Sequence, residues 1–190
     1  PRCRLRSATP PCRTVRRADP GWRGWHAGPV RNWTVAGGLL ADDRGILLVA
    51  NRRRDGRIDW STPGGVVDAG ETLIEALQRE VAEETGYVVE RWRGPCWTVE
   101  VDFVDLEMHL EVEVHRADGF GGALVLDDPD GIVTDARFVA LGGAEVLLGS
   151  APVWVADPLL DWIREPWDVT RHFVFRAVGT EPARMRAERR

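Results

Sequence analysis

The chain contains no lysine: all 25 of its basic side chains are arginine. Most surface positions accept either residue, so the exclusion reflects a GC-rich coding sequence, in step with the abundance of alanine, glycine, valine, proline and tryptophan. Cysteine is scarce as well. Cys3, Cys12 and Cys96 make neither a zinc spacing nor an even disulfide framework, and nothing points to an oxidising compartment. Long apolar runs are missing too: the longest mostly apolar stretch, Trp33 to Ala41, is far short of the ~20 residues that span a bilayer. The N-terminal segment lacks the apolar stretch of a secretory signal. No Pro/Ser-rich linker divides the chain internally. At 190 residues, 44% of them hydrophobic, one domain with one substantial core is expected. The expected compartment is the cytoplasm, with no membrane and no nucleic-acid partner.

Charge is uneven along the chain. Up to Arg31, eight arginines stand against a single acidic residue, Asp19, with no apolar period. Residues 1–30 are therefore expected to be a disordered basic arm. It reads either as a nucleic-acid or membrane-surface arm or as a non-native leader with translation beginning near Val30. The absence of an amphipathic pattern favours the leader. The folded domain is expected over 31–178, with a flexible C-terminal tail over 179–190.

Within the domain, Trp33–Ala41 and Gly45–Arg52 read as strands joined by an Asp-Asp-Arg turn. Trp97–Val104 and Leu106–His115 read as a strand pair, because Leu106, Met108, Leu110, Val112 and Val114 alternate with Glu107, His109, Glu111, Glu113 and His115. That alternation puts His109 and His115 on a wet face. Ile132–Ala140 reads as another strand, Pro158–Arg164 as a short helix with Trp162 inward, and Val169–Val178 as a final strand. Strands on either side of one long helix, followed by a second helix, give an α+β sandwich.

The long helix is predicted over 72–85. Leu73, Ile74, Leu77 and Val81 recur at helical spacing, Thr72 and Glu75 make a capping box, and Gly86 supplies a left-handed stop. Glu80, Glu83 and Glu84 share an arc of ~100° that overlaps the edge of this apolar stripe. Like charges there repel and lose hydration, so the cluster needs a compensating cation. Hard carboxylate oxygens suit Mg²⁺, with Mn²⁺ as an alternative. A solvated acidic face accounts for the charges but not for the preceding Pro63-Gly64-Gly65 turn, for Arg79 beside the cluster, or for Glu71 upstream.

From Gly65 to Tyr87 the chain follows the pattern G-x5-E-x7-R-E-U-x-E-E-x-G-U through Gly65, Glu71, Arg79, Glu80, Val81, Glu83, Glu84, Gly86 and Tyr87. This resembles the box of the Nudix hydrolases. Tyr87 is the one loose fit, since the family more often carries an aliphatic residue there. The resemblance covers about Arg31 to Trp167 and implies a Nudix-type α/β/α sandwich with a mixed sheet. It also implies roles. Glu80, Glu83 and Glu84 would bind the metal or position the attacking water, the Gly64 carbonyl would be a further ligand, and Arg79 with Glu71 would orient the cluster. The implied reaction is hydrolysis of a diphosphate linkage in a nucleoside diphosphate joined to another group.

The lead-in Trp60-Ser61-Thr62-Pro63-Gly64-Gly65 resembles that of mutator-type nucleoside triphosphatases. The proline that ADP-ribose members often carry some sixteen residues past the box is replaced here by Asp102 and Phe103. The expected substrate is a nucleoside triphosphate, oxidised ones included, cleaved to monophosphate and pyrophosphate. An ADP-ribose or nucleotide-sugar pyrophosphatase and a non-catalytic regulatory nucleotide-binding domain are the alternatives; the intact Arg79, Glu80, Glu83 and Glu84 argue against the last. A homodimer is left open. Arg52 and Arg53, ahead of Arg54 and Arg57, are candidates for the phosphate tail. Asp128 or Asp130 is either a late carboxylate of the site or an Asx-type turn residue. Trp33, Trp60, Trp97 and Phe103 are candidates for base stacking or for core packing.

Overall fold

The structure, a computed structural model, describes residues 30–190, so the arm expected over residues 1–30 lies outside it except for Val30. The strands are β1 (Arg31–Leu39), β2 (Ala41–Asp42), β3 (Gly45–Arg52), β4 (Ile58–Ser61), β5 (Gly64–Val66), β6 (Tyr87–Val89), β7 (Trp92–Phe103), β8 (Met108–Ala117), β9 (Phe120–Gly122), β10 (Val133–Val139), β11 (Arg171–Val178) and β12 (Arg186–Arg189). The helices are α1 (Leu73–Thr85), α2 (Leu141–Leu148) and α3 (Val153–Arg164). A six-stranded sheet runs β12-β11-β7-β8-β1-β5 and is mixed: β1 lies parallel to β8 and β11 to β7, while the other neighbours are antiparallel. A second sheet runs β10-β3-β2, with β4 also paired to β3. No helix among the described residues is long and apolar enough to cross a membrane.

Strand β3 divides two cores. Ile46, Leu48 and Ala50 pack with Trp97, Val99, Val101, Phe173 and Phe175, while Leu47 packs with Leu40, Ala76, Leu77 and Val81 beneath α1. A strand buried on both faces reads as a continuous apolar run, which is why Ile46 to Ala50 shows no alternation. Strand β7 does alternate, with Val99, Val101 and Phe103 inward and Glu100 and Asp102 exposed. The mixed sheet with helices packed on it is the expected α+β sandwich.

Four expectations are corrected. The strands read as a hairpin around Asp42-Asp43-Arg44 belong to different sheets: across that turn β3 meets the two-residue β2, its other partners being β10 and β4, while β1 leaves to join β5 and β8. Glycines make this possible, since a Cβ at Gly64 would lie 2.1 Å from the Ala36 carbonyl oxygen, so β5 approaches β1 closely only without one. The tail expected to be flexible over 179–190 contains β12, paired antiparallel to β11 from Phe175↔Arg189 to Val178↔Arg186. His115 is buried at 7% exposure, not wet, because the Gly94 segment of β7 folds against its ring. Its Nε2 lies 3.1 Å from Glu113 Oε2, and half-buried His109 reaches Asp102 at 2.7 Å. Helix α3 begins a turn before the predicted start, directly after Pro152, and carries buried Pro158 inside it. Helix α2 went unread because Gly142-Gly143 lowers its helical propensity.

Candidate functional site

The site grows from the two ends of α1. At its start, Glu75 N–H donates to Thr72 Oγ1 and Glu75 Oε2 accepts from Thr72 N–H, the reciprocal box the spacing predicts. At its end, Gly86 adopts φ 73° and returns its N–H to Ala82. The helix is thereby fixed over Leu73–Thr85. Ala76, Leu77 and Val81 face the core, and Glu84 lies on the edge of the same stripe, 7% exposed.

Two glycines bring β5 against this edge. The Gly64 N–H donates to Glu84 Oε2 at 2.8 Å, and Gly65 leaves the space that the Glu80 carboxyl fills, since a Cβ there would stand 2.5 Å from it. Arg79 gathers the rest. Its Nε and Nη2 make a bidentate pair with Glu71, each at 2.9 Å; Nη1 donates to Glu80 Oε1 at 2.5 Å and to Glu83 Oε2 at 3.5 Å; Nη2 also reaches the Val66 carbonyl. One guanidinium thus serves three carboxylates and ties the helix to β5. Glu71 first, and then Glu80, hold Arg79 firmly in its charged form against the opposing effect of burial.

Among the described residues, no cationic side chain pairs with Glu84. Burial pushes its carboxyl up to about 8, the charges of Glu80, Asp128 and Glu83 add to the rise, and the Gly64 N–H opposes it. Asp128 is close enough for its charge to act on Glu84, and it is the turn residue of its loop: its carboxylate accepts the N–H groups of Asp130, Ile132 and Val133 at 3.0, 2.6 and 2.8 Å. The hydrogen bonds describe the Asx-type turn. Asp130 is exposed beyond the turn.

The arginines divide. Arg52 donates from Nη2 to the Gly131 carbonyl at 3.3 Å and so sits at the Asp128 loop. Arg53 is instead engaged by buried Asp59 in a bidentate pair at 2.8 and 2.7 Å, and Arg57 is paired with Asp55. Of the aromatic candidates, Trp60, Trp97 and Phe103 are buried in the core, and Trp33 is half-buried.

Five carboxylates and one arginine make a site rich in hard oxygen donors and short of positive charge, a donor set that fits a divalent ion held by oxygen. Among the described residues, no three side chains of His, Cys, Asp or Glu yet converge on one point, because Arg79 holds Glu80 and Glu83 while Gly64 holds Glu84. The sequence reading missed one polar pair where β3 and β4 meet, Asn51 and Ser61. Its only signal was an asparagine within an otherwise apolar strand.

Comparison with known proteins bears on the whole domain. A family model described as NUDIX domain matches residues 31–159. The 8-oxo-dGDP phosphatase of Homo sapiens is 38% identical over 72 residues, covering 34% of this chain and 22% of that protein. The oxidized purine nucleoside triphosphate hydrolase of Danio rerio is 31% identical over 84 residues, covering 44% and 53%. The crystal structure of a MutT NUDIX hydrolase from Burkholderia pseudomallei superposes with TM-score 0.53 at 28% identity, covering 60% of this chain and 86% of that one. The chain thus matches about a fifth of the human relative's length and about half of the fish relative's. With a complete box folded around α1 and the family model spanning most of the described residues, the chain belongs to the Nudix family.

Proposed function

We propose that the chain is a Mg²⁺-dependent pyrophosphohydrolase that cleaves a nucleoside triphosphate, oxidised purine nucleotides included, to a nucleoside monophosphate and pyrophosphate. The observation that carries the reading is the joining of Glu71, Arg79, Glu80, Glu83 and Glu84 to the Gly64-Gly65 turn, with carboxylates in excess of cation. The fish relative's printed activity on an oxidized purine nucleoside triphosphate supports the choice of a triphosphate, while the human relative's, on 8-oxo-dGDP, supports the oxidised purine alone.

Glu80, Glu83, Glu84 and the Gly64 carbonyl would hold the ion, with Mn²⁺ as a substitute. When bound, the ion supplies neutralisation of the phosphate oxygens and a more acidic water. The chain's own residues do the rest. Arg79, braced by Glu71, sets the direction of the Glu80 and Glu83 carboxylates. Arg52 offers its guanidinium to the outer phosphates at the Asp128 loop. Water attacks phosphorus in line, the P–O bond to the pyrophosphate breaks, and a carboxylate of the cluster accepts the water proton.

Turnover with Mg²⁺ should be measured on normal and oxidised nucleoside tri- and diphosphates, ADP-ribose, dinucleoside polyphosphates and nucleotide sugars. The reading expects the highest kcat/KM on a triphosphate. A value for ADP-ribose more than ~10-fold above every triphosphate, about 1.4 kcal/mol of discrimination, overturns it in favour of the second enzyme reading. Tight nucleotide binding without turnover would indicate a regulatory domain.

A further inference from the structure

Tyr87, the loose fit in the box and the chain's single tyrosine, shapes a second concavity. It follows the left-handed Gly86 and is buried. An aliphatic residue there would stop in the core, whereas the tyrosine carries a hydroxyl beyond it, and Arg44 Nη1 donates to that oxygen at 3.3 Å. The ring stands edge-on to Phe120 and Phe138, with centroids 5.4 and 5.9 Å away. Those two rings lie nearly parallel, 6.0 Å apart, and the Arg44 guanidinium covers Phe138 at 3.6 Å.

Tyr87, Phe120 and Arg44 line a cavity of about 400 Å³ together with Asp42 and a floor that includes Gly121 and Gly122. Small-molecule sites have volumes of this order. Arg44 immediately precedes β3 and Arg52 ends it, so the two arginines stand about 25 Å apart along the strand. The cavity is therefore remote from the arginine assigned to the phosphates.

The charges on its wall cancel. Only Asp42 and Arg44 among the lining residues are charged, and they are paired. Asp42 Oδ1 accepts from the backbone N–H and Nε of Arg44, and Oδ2 accepts from Nε and Nη2, at 2.6 to 3.2 Å. Both lone pairs of each carboxylate oxygen are thus engaged. Arg44 keeps N–H groups on Nη1 and Nη2 beyond those used, and Tyr87, which accepts from Arg44, keeps its own proton to donate. The polar side chains of the wall have donors left and no acceptor. An anion would have to take Arg44 from Asp42, and a cation would meet a guanidinium with no free carboxylate beside it. A neutral ring bearing acceptor oxygens meets neither obstacle, and aromatic edges above a glycine floor suit a flat one. We propose that this cavity is a second ligand site, taking a neutral planar heteroaromatic ring with carbonyl acceptors, the chemistry of an oxopurine or oxopyrimidine base, and that Tyr87 O–H is the donor to it. The site does not depend on the hydrolase reading.

Because Tyr87 is the only tyrosine, full-length protein carrying 3-fluorotyrosine gives one ¹⁹F resonance, which reports from the cavity wall. Hypoxanthine and uracil, titrated separately, should each move that line saturably with a Kd on the order of 1 mM, the strength open to so small a ligand. Benzoate, benzamidine and inosine monophosphate add an anion, a cation and a phosphate to a ring, and none should bind more tightly than hypoxanthine. Tyr87→Phe, followed unlabelled, keeps the ring and loses the donor. The hypoxanthine-induced rise in its melting temperature should correspond to a Kd about 3- to 10-fold weaker than wild type, the worth of one neutral hydrogen bond. In Arg44→Gln the freed Asp42 carboxylate should turn the preference to benzamidine. A line unmoved by both bases, tighter binding of benzoate or the monophosphate to wild type, or an unchanged Kd in Y87F would each overturn the inference. So would a hypoxanthine shift abolished by a saturating non-hydrolysable nucleoside triphosphate with Mg²⁺, since that places the base at the box. Wild-type protein that binds the bases but hydrolyses no nucleotide would sink the hydrolase reading and leave this site standing.

Discussion

Gly64 and Glu84, twenty residues apart in sequence, meet through a single backbone hydrogen bond of 2.8 Å that joins the glycine turn to the last turn of α1. That N–H is the main force opposing a rise in the Glu84 pKa, and burial overcomes it. Glu84→Gln keeps the shape and an acceptor for Gly64 while removing the charge. The variant should fold normally and lose at least ~10²-fold in kcat, as expected for a strong electrostatic contribution. Near-normal Mg²⁺-dependent turnover would remove Glu84 from the site.

The same residue gives a pH dependence. The folded carboxyl titrates near 8, above the ordinary value, so in metal-free protein it binds a proton that the unfolded chain releases. Its contribution to stability is present at acid pH and is lost as pH rises through about 8. Metal-free protein should therefore lose melting temperature more steeply than E84Q between the ordinary value of 4.5 and about 8, and run parallel to it above that. Under the proposed function stabilisation by Mg²⁺ should grow over that window, because the ionised carboxylate would be the ligand. Parallel melting curves for the two proteins would refute the assignment.

Arg79→Lys keeps the charge and loses the fork. A lysine cannot hold Glu71 through two parallel bonds and reach Glu80 at once. The expected result is a kcat decrease of ~10-fold or more with little change in KM, and a smaller stability loss of about 1–3 kcal/mol for hydrogen bonds to charged groups. Denaturant titration and steady-state kinetics separate the two effects.

Gly65→Ala and Gly64→Ala should fail differently. At Gly65 the added Cβ meets the Glu80 carboxyl at 2.5 Å, the far end of a side chain that can move, so activity should fall while the fold survives. At Gly64 it meets the Ala36 carbonyl oxygen at 2.1 Å, and φ is 144°, so the backbone itself must shift. Gly64→Ala should lower the melting temperature far more than Gly65→Ala. The reverse order would contradict the close approach of β5 to β1.

Arg52→Ala should raise KM more than it lowers kcat, since its guanidinium is turned to the Asp128 loop. Arg53→Ala should leave KM nearly unchanged and destabilise the fold, because it strips buried Asp59 of its partner. Equal kinetic losses in both would assign the whole basic turn to the substrate.

The box was legible because its physics is local: capping, helical period and a left-handed stop are all written within α1 and its flanks, from Thr72 to Gly86. The parts of the site lying far apart in sequence were less so. That Arg53 is spent on Asp59 depends on the β3–β4 turn geometry, and the Asn51–Ser61 pair depends on strand register, which an apolar run does not reveal. His115 was misplaced because alternation marks the two faces of a strand but not what another segment lays over one of them. For β12 the charged sequence Arg186-Ala187-Glu188-Arg189 gives no apolar signal, since an edge strand has little to bury.

That last strand shields its neighbour. Beneath it, β11 carries Phe173, Phe175 and Ala177 on its buried face, with a backbone that would otherwise present an open row of donors and acceptors. Arg186, Glu188 and Arg189 cap the sheet with charges of both signs, so a strand from another molecule finds an unwelcoming border. Chain shortened to Thr180 would leave β11 as a long apolar margin, and its expected failing is self-association during refolding and storage, with the chemistry at the far end of the sheet untouched.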